Sequence, residues 1–414
     1  MYLIPICAPI LIEGERRLVT TDWKRSLELL RDSLEGRYGP LCVLAPSLPA
    51  DRFEGSTALE ELDVERDGIE LVPSIAADIR ARAYWLRERA TWREQAAGLV
   101  SRAHVVHGGA DNLFKPVMTT AWRLAAEWGV PTVFVQDTDI VLQERELAGD
   151  DRLRRLRAAI YGSLYERVVR DGVSRATLSL LKGRDLVQRY GPFGRNVREF
   201  HDTSHLSEHV VGEAVLERRR EHAGSGAPLR FVYCGRFVER KGLHTAIELV
   251  AAAVRAGAAV TYDLVGDGPE RARLEALVAE RGLGEHVRFL GTAVYGPELI
   301  ARLGAYDGLL FTPSAEDTPR MIFDGYAAGL PLVATDIAYA RERADAEGAT
   351  VLLPRSDAAR GAQILAELAA DRSRLLALGA AARAAGEYHA ADAWYARRAR
   401  WTFEAVDAAG RAAA

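Results

Sequence analysis

Two carboxylates, Glu316 and Asp324, are separated by seven residues in the stretch PSAEDTPRMIFDGYAAGLPLVATD, Pro313 to Asp336. A polar turn carrying Pro319 leads into an amphipathic run, MIFDGYAAGL, and then an apolar one, PLVAT. That pattern predicts loop, helix, loop, strand. Proline suits the first helical turn, where its missing N–H costs nothing. The unbonded N–H groups of Arg320, Met321 and Ile322 then stand beside a partial positive charge, a ready place for a phosphate. Glu316 comes just before the turn, and Asp324 lies roughly one and a half turns inside the helix. A carboxylate in each place accepts hydrogen bonds from neutral hydroxyls, of the kind a sugar and a ribose present. The plainer alternative is that Glu316 and Asp317 cap the helix and Asp324 is solvated.

A second constellation, GRFVERKG from Gly235 to Gly242, follows the strand-like LRFVYC and opens the helical pattern LHTAIELV. Arg236 and Lys241 therefore stand at a strand-to-helix crossing, flanked by glycines that let a ligand approach the backbone. One planar fork and one point charge together neutralise a diphosphate leaving group. Two ordinary surface cations are the competing account. Lysine is scarce, however: Lys24, Lys115, Lys182 and Lys241 are its four occurrences, and arginine supplies the rest of the 54 basic residues. VGDGPE, Val265 to Glu270, contains a GxG pair at Gly266 and Gly268, but Arg271 stands where a dinucleotide fingerprint needs its third glycine. HVRFLG ends at Gly291 in a similar turn, which lets a base or ribose lie against backbone.

The elements that must position these residues alternate regularly. Apolar runs near residues 2, 41, 69, 104, 131, 176 and 197 read as strands, with helical patterns at 22–35, 76–100, 115–128 and 151–171 between them. The charged segment 209–228, ending in AGSGAP, breaks the rhythm and reads as a linker. Alternation then resumes with LRFVYCG, AVTYDLVGDG, HVRFLG, GLLFTPS, PLVATD and TVLLP as strands. The expectation is an α/β chain of two Rossmann-like domains, 1–208 and 229–387, with parallel sheets facing a cleft, and a final helix, 388–414, that packs back on the first domain. At 414 residues the chain has the length for this.

A net charge of −4 gives no general reason to expect nucleic acid. No segment reaches the ~20 uninterrupted apolar residues of a membrane helix. The opening MYLIPICAPILI lacks a basic leading segment and a cleavage site, so it reads as a first strand and not a signal peptide. Cys7, Cys42 and Cys234 each lie in an apolar run, which predicts buried, reduced thiols, a cytoplasmic protein and no metal site. The basic run DRLRRLR, Asp151 to Arg157, is either a solvated helical face or a contact with an anionic lipid surface.

Taken in order, GRFVERKG, VGDGPE, VRFLG and PSAEDTPRMIFDGYAAGLPLVATD resemble the second domain of retaining GT-B glycosyltransferases of the family 4 type. The likeness is close over about 229 to 355 and only architectural before that. It implies a nucleotide-sugar donor on the C-terminal domain and an acceptor on the N-terminal one. By it Arg236 and Lys241 hold the donor diphosphate, Glu316 contacts the sugar hydroxyls, and the segment Thr318, Pro319, Arg320, Met321 and Ile322 meets sugar and phosphate with its backbone. Gly235, Gly266 and Gly291 let the donor lie close. The second carboxylate of the family, normally glutamate, binds the ribose, and here it is Asp324, one methylene shorter.

The N-terminal half departs further from that family. A histidine often follows the fifth strand, whereas this chain reads VFVQDTD, with Gln136 at the matching place and Asp137 and Asp139 beside it. The glycine-rich loop after the first strand is here LIEGERRLVTTD, with Gly14 alone. These parts would read the acceptor. His107, closing HVVHGG, is the remaining polar candidate for catalysis at a cleft mouth, with a histidine bonded to a neighbouring loop as its alternative. His201 either lines the cleft or fixes the hinge.

The resulting expectation is a retaining hexosyltransferase that moves a sugar, UDP-sugar favoured by the resemblance, to an acceptor small molecule, glycan or lipid. No nucleophile is evident, so front-side displacement without metal or cofactor is expected. The alternatives are a non-catalytic nucleotide-sugar binder, raised by Asp324 and the missing histidine, and a nucleotide-sugar epimerase. A phosphorylase would need a pyridoxal lysine, and a dehydrogenase fits GDGPER badly.

Overall fold

The computed structural model describes residues 1–54, 58–149, 151–314 and 317–413. The chain forms two compact units, Met1–His201 with Trp394–Ala414, and Asp202–Ala393.

In the first unit ten strands build one sheet: β1 (Tyr2–Pro5), β2 (Ile10–Glu13), β3 (Arg16–Thr20), β4 (Leu41–Pro49), β5 (Leu59–Glu61), β6 (Ile69–Ala76), β7 (Val105–Gly109), β8 (Thr132–Gln136), β9 (Leu178–Lys182) and β10 (Val197–Phe200). Its order is β10-β9-β8-β7-β1-β4-β2-β3-β5, with β6 also paired to β4. β1, β4 and β6 to β10 are mutually parallel, and their runs are apolar on both faces because helices cover both. One face carries Tyr2, Val43, Leu71 and Leu180, covered in part by Trp394 and Ala399 of the last helix. The other carries Leu3, Leu44, Val106 and Phe134 under Trp92 and Trp122.

The expected loop around Gly14 is instead a hairpin, β2 against antiparallel β3, with Gly14 in the turn at φ 60°. Cross-strand Glu13 and Arg16 bond at 2.7 Å. Their charges interrupt the apolar alternation that marks a strand in sequence.

The second unit is a six-stranded sheet of β11 (Leu229–Cys234), β12 (Val260–Val265), β13 (Val287–Phe289), β14 (Gly308–Phe311), β15 (Leu332–Thr335) and β16 (Thr350–Leu353). All its pairings are parallel, in the order β13-β12-β11-β14-β15-β16. Counted from β11 this is 3-2-1-4-5-6, the doubly wound arrangement. Phe231, Tyr233, Leu264, Leu310 and Val333 form its core with Ile247, Ile322 and Tyr326 from the helices.

The expected linker 209–228 is no linker. It contains a helix, Glu213–Gly224, that belongs to the second unit. Arg219, 3% exposed, donates to the carbonyls of Tyr306, Gly329 and Ala328 at 2.7, 2.6 and 3.1 Å. These carbonyls follow the ends of helices Pro297–Leu303 and Met321–Ala327, where a cation is favoured. A buried arginine with that task has the composition of a solvated one, which is why the segment reads as polar connector. Cys7 also differs from expectation: it is exposed, with its sulfur 3.5 Å from Asp111.

Candidate functional site

In a 3-2-1-4-5-6 sheet the chain turns opposite ways from its first and fourth strands, and ligands bind beyond the carboxyl ends at that point. Here those strands are β11 and β14, adjacent and in parallel register. The loop after β11 runs from Gly235 to Gly242, and the loop after β14 starts at Thr312. The two are stitched together. Ser314 N–H donates to the Arg240 carbonyl at 3.1 Å, and the Thr312 hydroxyl to the Gly242 carbonyl at 2.8 Å. Gly242 has φ 64°, and a Cβ there would stand 1.8 Å from the Thr312 carbonyl oxygen. Glycine is therefore what permits the approach.

Lys241 is fixed by this seam. It is 8% exposed, and its Nζ lies 2.5 Å from Oδ2 of Asp317. The other oxygen of Asp317 accepts from Arg240 at 2.8 Å, and the ring of Phe311 lies 5.8 Å from Nζ. Burial pulls the Lys241 pKa down, and the Asp317 carboxylate pulls it back up. Arg236 is exposed on the same loop. In sequence Asp317 reads only as a helix cap, and nothing there marks Arg240. Scarcity of lysine marked Lys241, but nothing local marks its partner. Glu316 lies outside the described residues.

Gly235, Gly266 and Gly291 are brought together. Gly235 N–H donates to Val265, and Gly266 N–H to Gly291, at 2.9 and 2.7 Å, so backbone pairing of β11, β12 and β13 continues past the strands. A Cβ on Gly266, at φ 140°, would meet the Gly235 carbonyl oxygen at 1.9 Å.

The helix after Pro319 starts later than expected, at Met321 with Arg320 as its N-cap. Ile322 N–H is directed at the Pro319 carbonyl at 3.4 Å, so it is not one of three unbonded donors. The Met321 and Ile322 side chains are core, Thr318 is exposed, and Arg320 pairs with Asp202 at 2.7 Å. Asp324 is not solvated. It is 8% exposed, accepts from the Tyr295 hydroxyl at 2.9 Å, and lies 4.0 Å from Nδ1 of fully buried His205. Burial pushes its pKa up to about 6, against the Tyr295 bond. His205 donates through Nε2 to the Gly386 carbonyl at 2.8 Å, leaving Nδ1 as a lone pair. Burial pulls His205 down to about 4. No local pattern marks Tyr295 or His205, since both reach Asp324 only through tertiary packing.

The first unit holds the other candidates. His107 is a core histidine of the first unit: it is 8% exposed, its Nδ1 is 2.7 Å from the Tyr2 hydroxyl, and Arg398 stands 3.5 Å from Nε2. Burial, assisted by Arg398, pulls it down to about 3, so it stays neutral. Gln136 is likewise interior, donating to the Thr138 carbonyl and the Tyr165 hydroxyl at 2.8 and 3.2 Å. Asp139 accepts from Leu142 N–H at the start of helix Ile140–Ala148 and pairs with Arg189, both at 3.0 Å. Asp137 is exposed. His201 is buried against Trp394, with ring centroids 5.7 Å apart.

With this geometry in place, comparison with known proteins is decisive for the second unit. Residues 228–371 match the family described as Glycosyl transferases group 1. The chain carries a glycosyl transferases group 1 domain. Among curated relatives, the lipopolysaccharide core biosynthesis glycosyltransferase LpsE of Rhizobium meliloti is 35% identical over 121 residues, 29% of this chain and 33% of that protein. The 2-deoxystreptamine glucosyltransferase of Streptomyces kanamyceticus is 35% identical over 124 residues, 29% of this chain and 32% of that protein. The match thus spans about a third of the length of these relatives.

Among solved structures, Anabaena Alr3699/HepE in complex with UDP superposes with a TM-score of 0.65 at 15% identity, covering 97% of this chain and 99% of that one. WaaG, a glycosyltransferase of lipopolysaccharide biosynthesis, gives 0.60 at 15% identity, covering 96% and 98%. The fold of the chain is GT-B.

Proposed function

We propose that the chain is a retaining glycosyltransferase that moves a hexose from a nucleoside diphosphate, UDP favoured, to an acceptor hydroxyl or amine. The observation that carries this reading is Lys241 held at 2.5 Å by Asp317, with Arg240 on the same carboxylate and Arg236 on the same loop, at the switch point of the doubly wound sheet. A buried ammonium on a loop at that place is suited to a diphosphate oxygen. HepE has been solved with UDP and with UDP-glucose, and the Streptomyces relative is a glucosyltransferase, which supports a UDP-hexose donor.

In the proposed step the bond from the anomeric carbon to the diphosphate oxygen breaks, and the acceptor oxygen bonds that carbon on the same face. The acceptor's proton passes to the departing diphosphate. Arg236 and Lys241 stabilise the charge that develops on the leaving group, the task a divalent ion performs in other transferases, so the reaction is proposed to run without metal or cofactor. Glu316 is proposed to bind the sugar hydroxyls and Asp324 the ribose. Among the described residues no helix is long and apolar enough to cross a membrane. Three cysteines without disulfides support a reducing, cytoplasmic setting.

Thermal-shift measurements against UDP, GDP, ADP and TDP test the donor. A selective rise in melting temperature with one diphosphate is expected, and its absence with all four removes the reading. A donor that binds but is never consumed, with any acceptor offered, would instead identify a nucleotide-sugar binder.

A further inference from the structure

The helix Arg152–Arg175 has two apolar faces. One is packed inward through Ala158, Gly162, Tyr165 and Val169, all buried. It sits so close to the sheet that a Cβ on Gly172 would stand 2.1 Å from the Phe134 ring. The opposite side carries Leu153, Leu156, Ile160 and Leu164, with exposures of 57, 58, 56 and 47%. At ~100° per residue, spacings of three, four and four put these side chains in a single row along the helix. An outward helix face in a water-soluble domain normally carries polar side chains.

The row borders a groove of about 780 Å³ between this helix and the 112–114 loop, lined by Leu113, Phe114, Ile160, Tyr161 and Leu164. Phe114 is 58% exposed, and its ring centroid lies 5.8 Å from that of Tyr161. Trp85, 46% exposed, continues the surface and donates its indole N–H to the Phe114 carbonyl at 2.9 Å. Cations accompany the row at its amino end, where Arg152, Arg154, Arg155 and Arg157 are all exposed. Arg154 and Arg157 also rim the groove.

We propose that this face docks on an anionic lipid bilayer, with Leu153, Leu156, Ile160 and Leu164 entering the boundary between headgroups and acyl chains and the arginines meeting lipid phosphates. Charge selects this occupant: four arginines, set against Asp151 at 3.9 Å from Arg154 and Glu144 in the groove wall, leave a net positive rim beside an aliphatic row with aromatic side chains at its flank, which matches an acidic interface. The whole surface lies in the first unit, and the inference stands independently of the donor site.

The test is sedimentation of the full chain with vesicles of phosphatidylcholine alone or mixed with phosphatidylglycerol. The chain is expected to pellet with phosphatidylglycerol vesicles and to be released by salt. R154Q/R157Q should weaken that binding roughly thirty-fold, from the surface contribution of two arginines, and L156E/I160E should abolish it. All four positions are exposed, so circular dichroism and the UDP-induced thermal shift should match the parent chain. Failure to pellet with either vesicle, or equal binding to both, overturns the proposal. So does a dimer of the parent chain that L156E/I160E converts to monomer without any vesicle binding, because the face would then belong to a second copy.

Discussion

Asp317 and Lys241 form an ion pair at 2.5 Å across two loops that are 76 residues apart in sequence. The pair holds the ammonium in place before any donor arrives, which saves the ordering cost when a diphosphate enters. It also makes Lys241 the side chain on which the proposed chemistry most depends. Lys241→Met should lower kcat/KM for transfer by about a hundredfold to a thousandfold, the range for losing one preorganised electrostatic contact. Steady-state kinetics with the donor found by thermal shift checks this, and near-normal turnover would remove Lys241 from the leaving-group role.

Asp317→Asn tests the positioning role separately. Burial lowers the Lys241 pKa and Asp317 opposes it, so removing the carboxylate leaves desolvation less opposed and the pKa falls further. Transfer requires the protonated amine in the proposed mechanism. The alkaline limb of the pH–rate profile should therefore move to lower pH in the variant. A purely structural role for Asp317 would lower the rate without moving that limb.

Much of this site was legible in the sequence, and the part that was not has a common cause. Arg236, Lys241 and the three glycines lie where a strand meets a helix, and period and turn chemistry locate such junctions from local residues alone. Asp317, Tyr295 and His205 acquire their roles from approaches between distant loops, which no local pattern records. His107 is the reverse case, a polar residue whose burial no local pattern records. All five residues of β7 are buried, and a histidine inside such a strand looks in sequence like one at its open end. The fold itself was readable as two runs of alternating strands and helices, while Arg219 made a packed helix read as a connector.

Asp324 gives a pH prediction. Its pKa is about 6 in the folded chain against an ordinary 3.8. The folded state therefore holds its proton more tightly, and the resulting stability is fully present below about 4 and lost as pH rises through 6. The difference corresponds to about 3 kcal/mol. His205 titrates in the opposite sense, being depressed to about 4, and stability from that group rises with pH over the same window. Asp324→Asn keeps an acceptor for Tyr295 and removes only the acid. Melting curves should show the variant gaining on the parent chain between pH 4 and 7, and parallel curves would exclude the elevated pKa.

Arg219 gives a stability prediction confined to one unit. Its guanidinium serves the carbonyls of Tyr306, Ala328 and Gly329, all from the second unit, and it is 3% exposed. Arg219→Met keeps much of the apolar stem but leaves those acceptors buried without donors, at a cost of about 3 kcal/mol. The two units are expected to melt as separate calorimetric transitions, since two-domain chains seldom unfold in one step. The transition that UDP raises identifies the second unit under the proposed donor assignment, and this transition should move down in the variant. The other should stay in place, because every carbonyl Arg219 serves lies between residues 202 and 393. Equal lowering of both transitions would mean that helix Glu213–Gly224 supports the chain as a whole and does not act only as a brace within the group 1 domain.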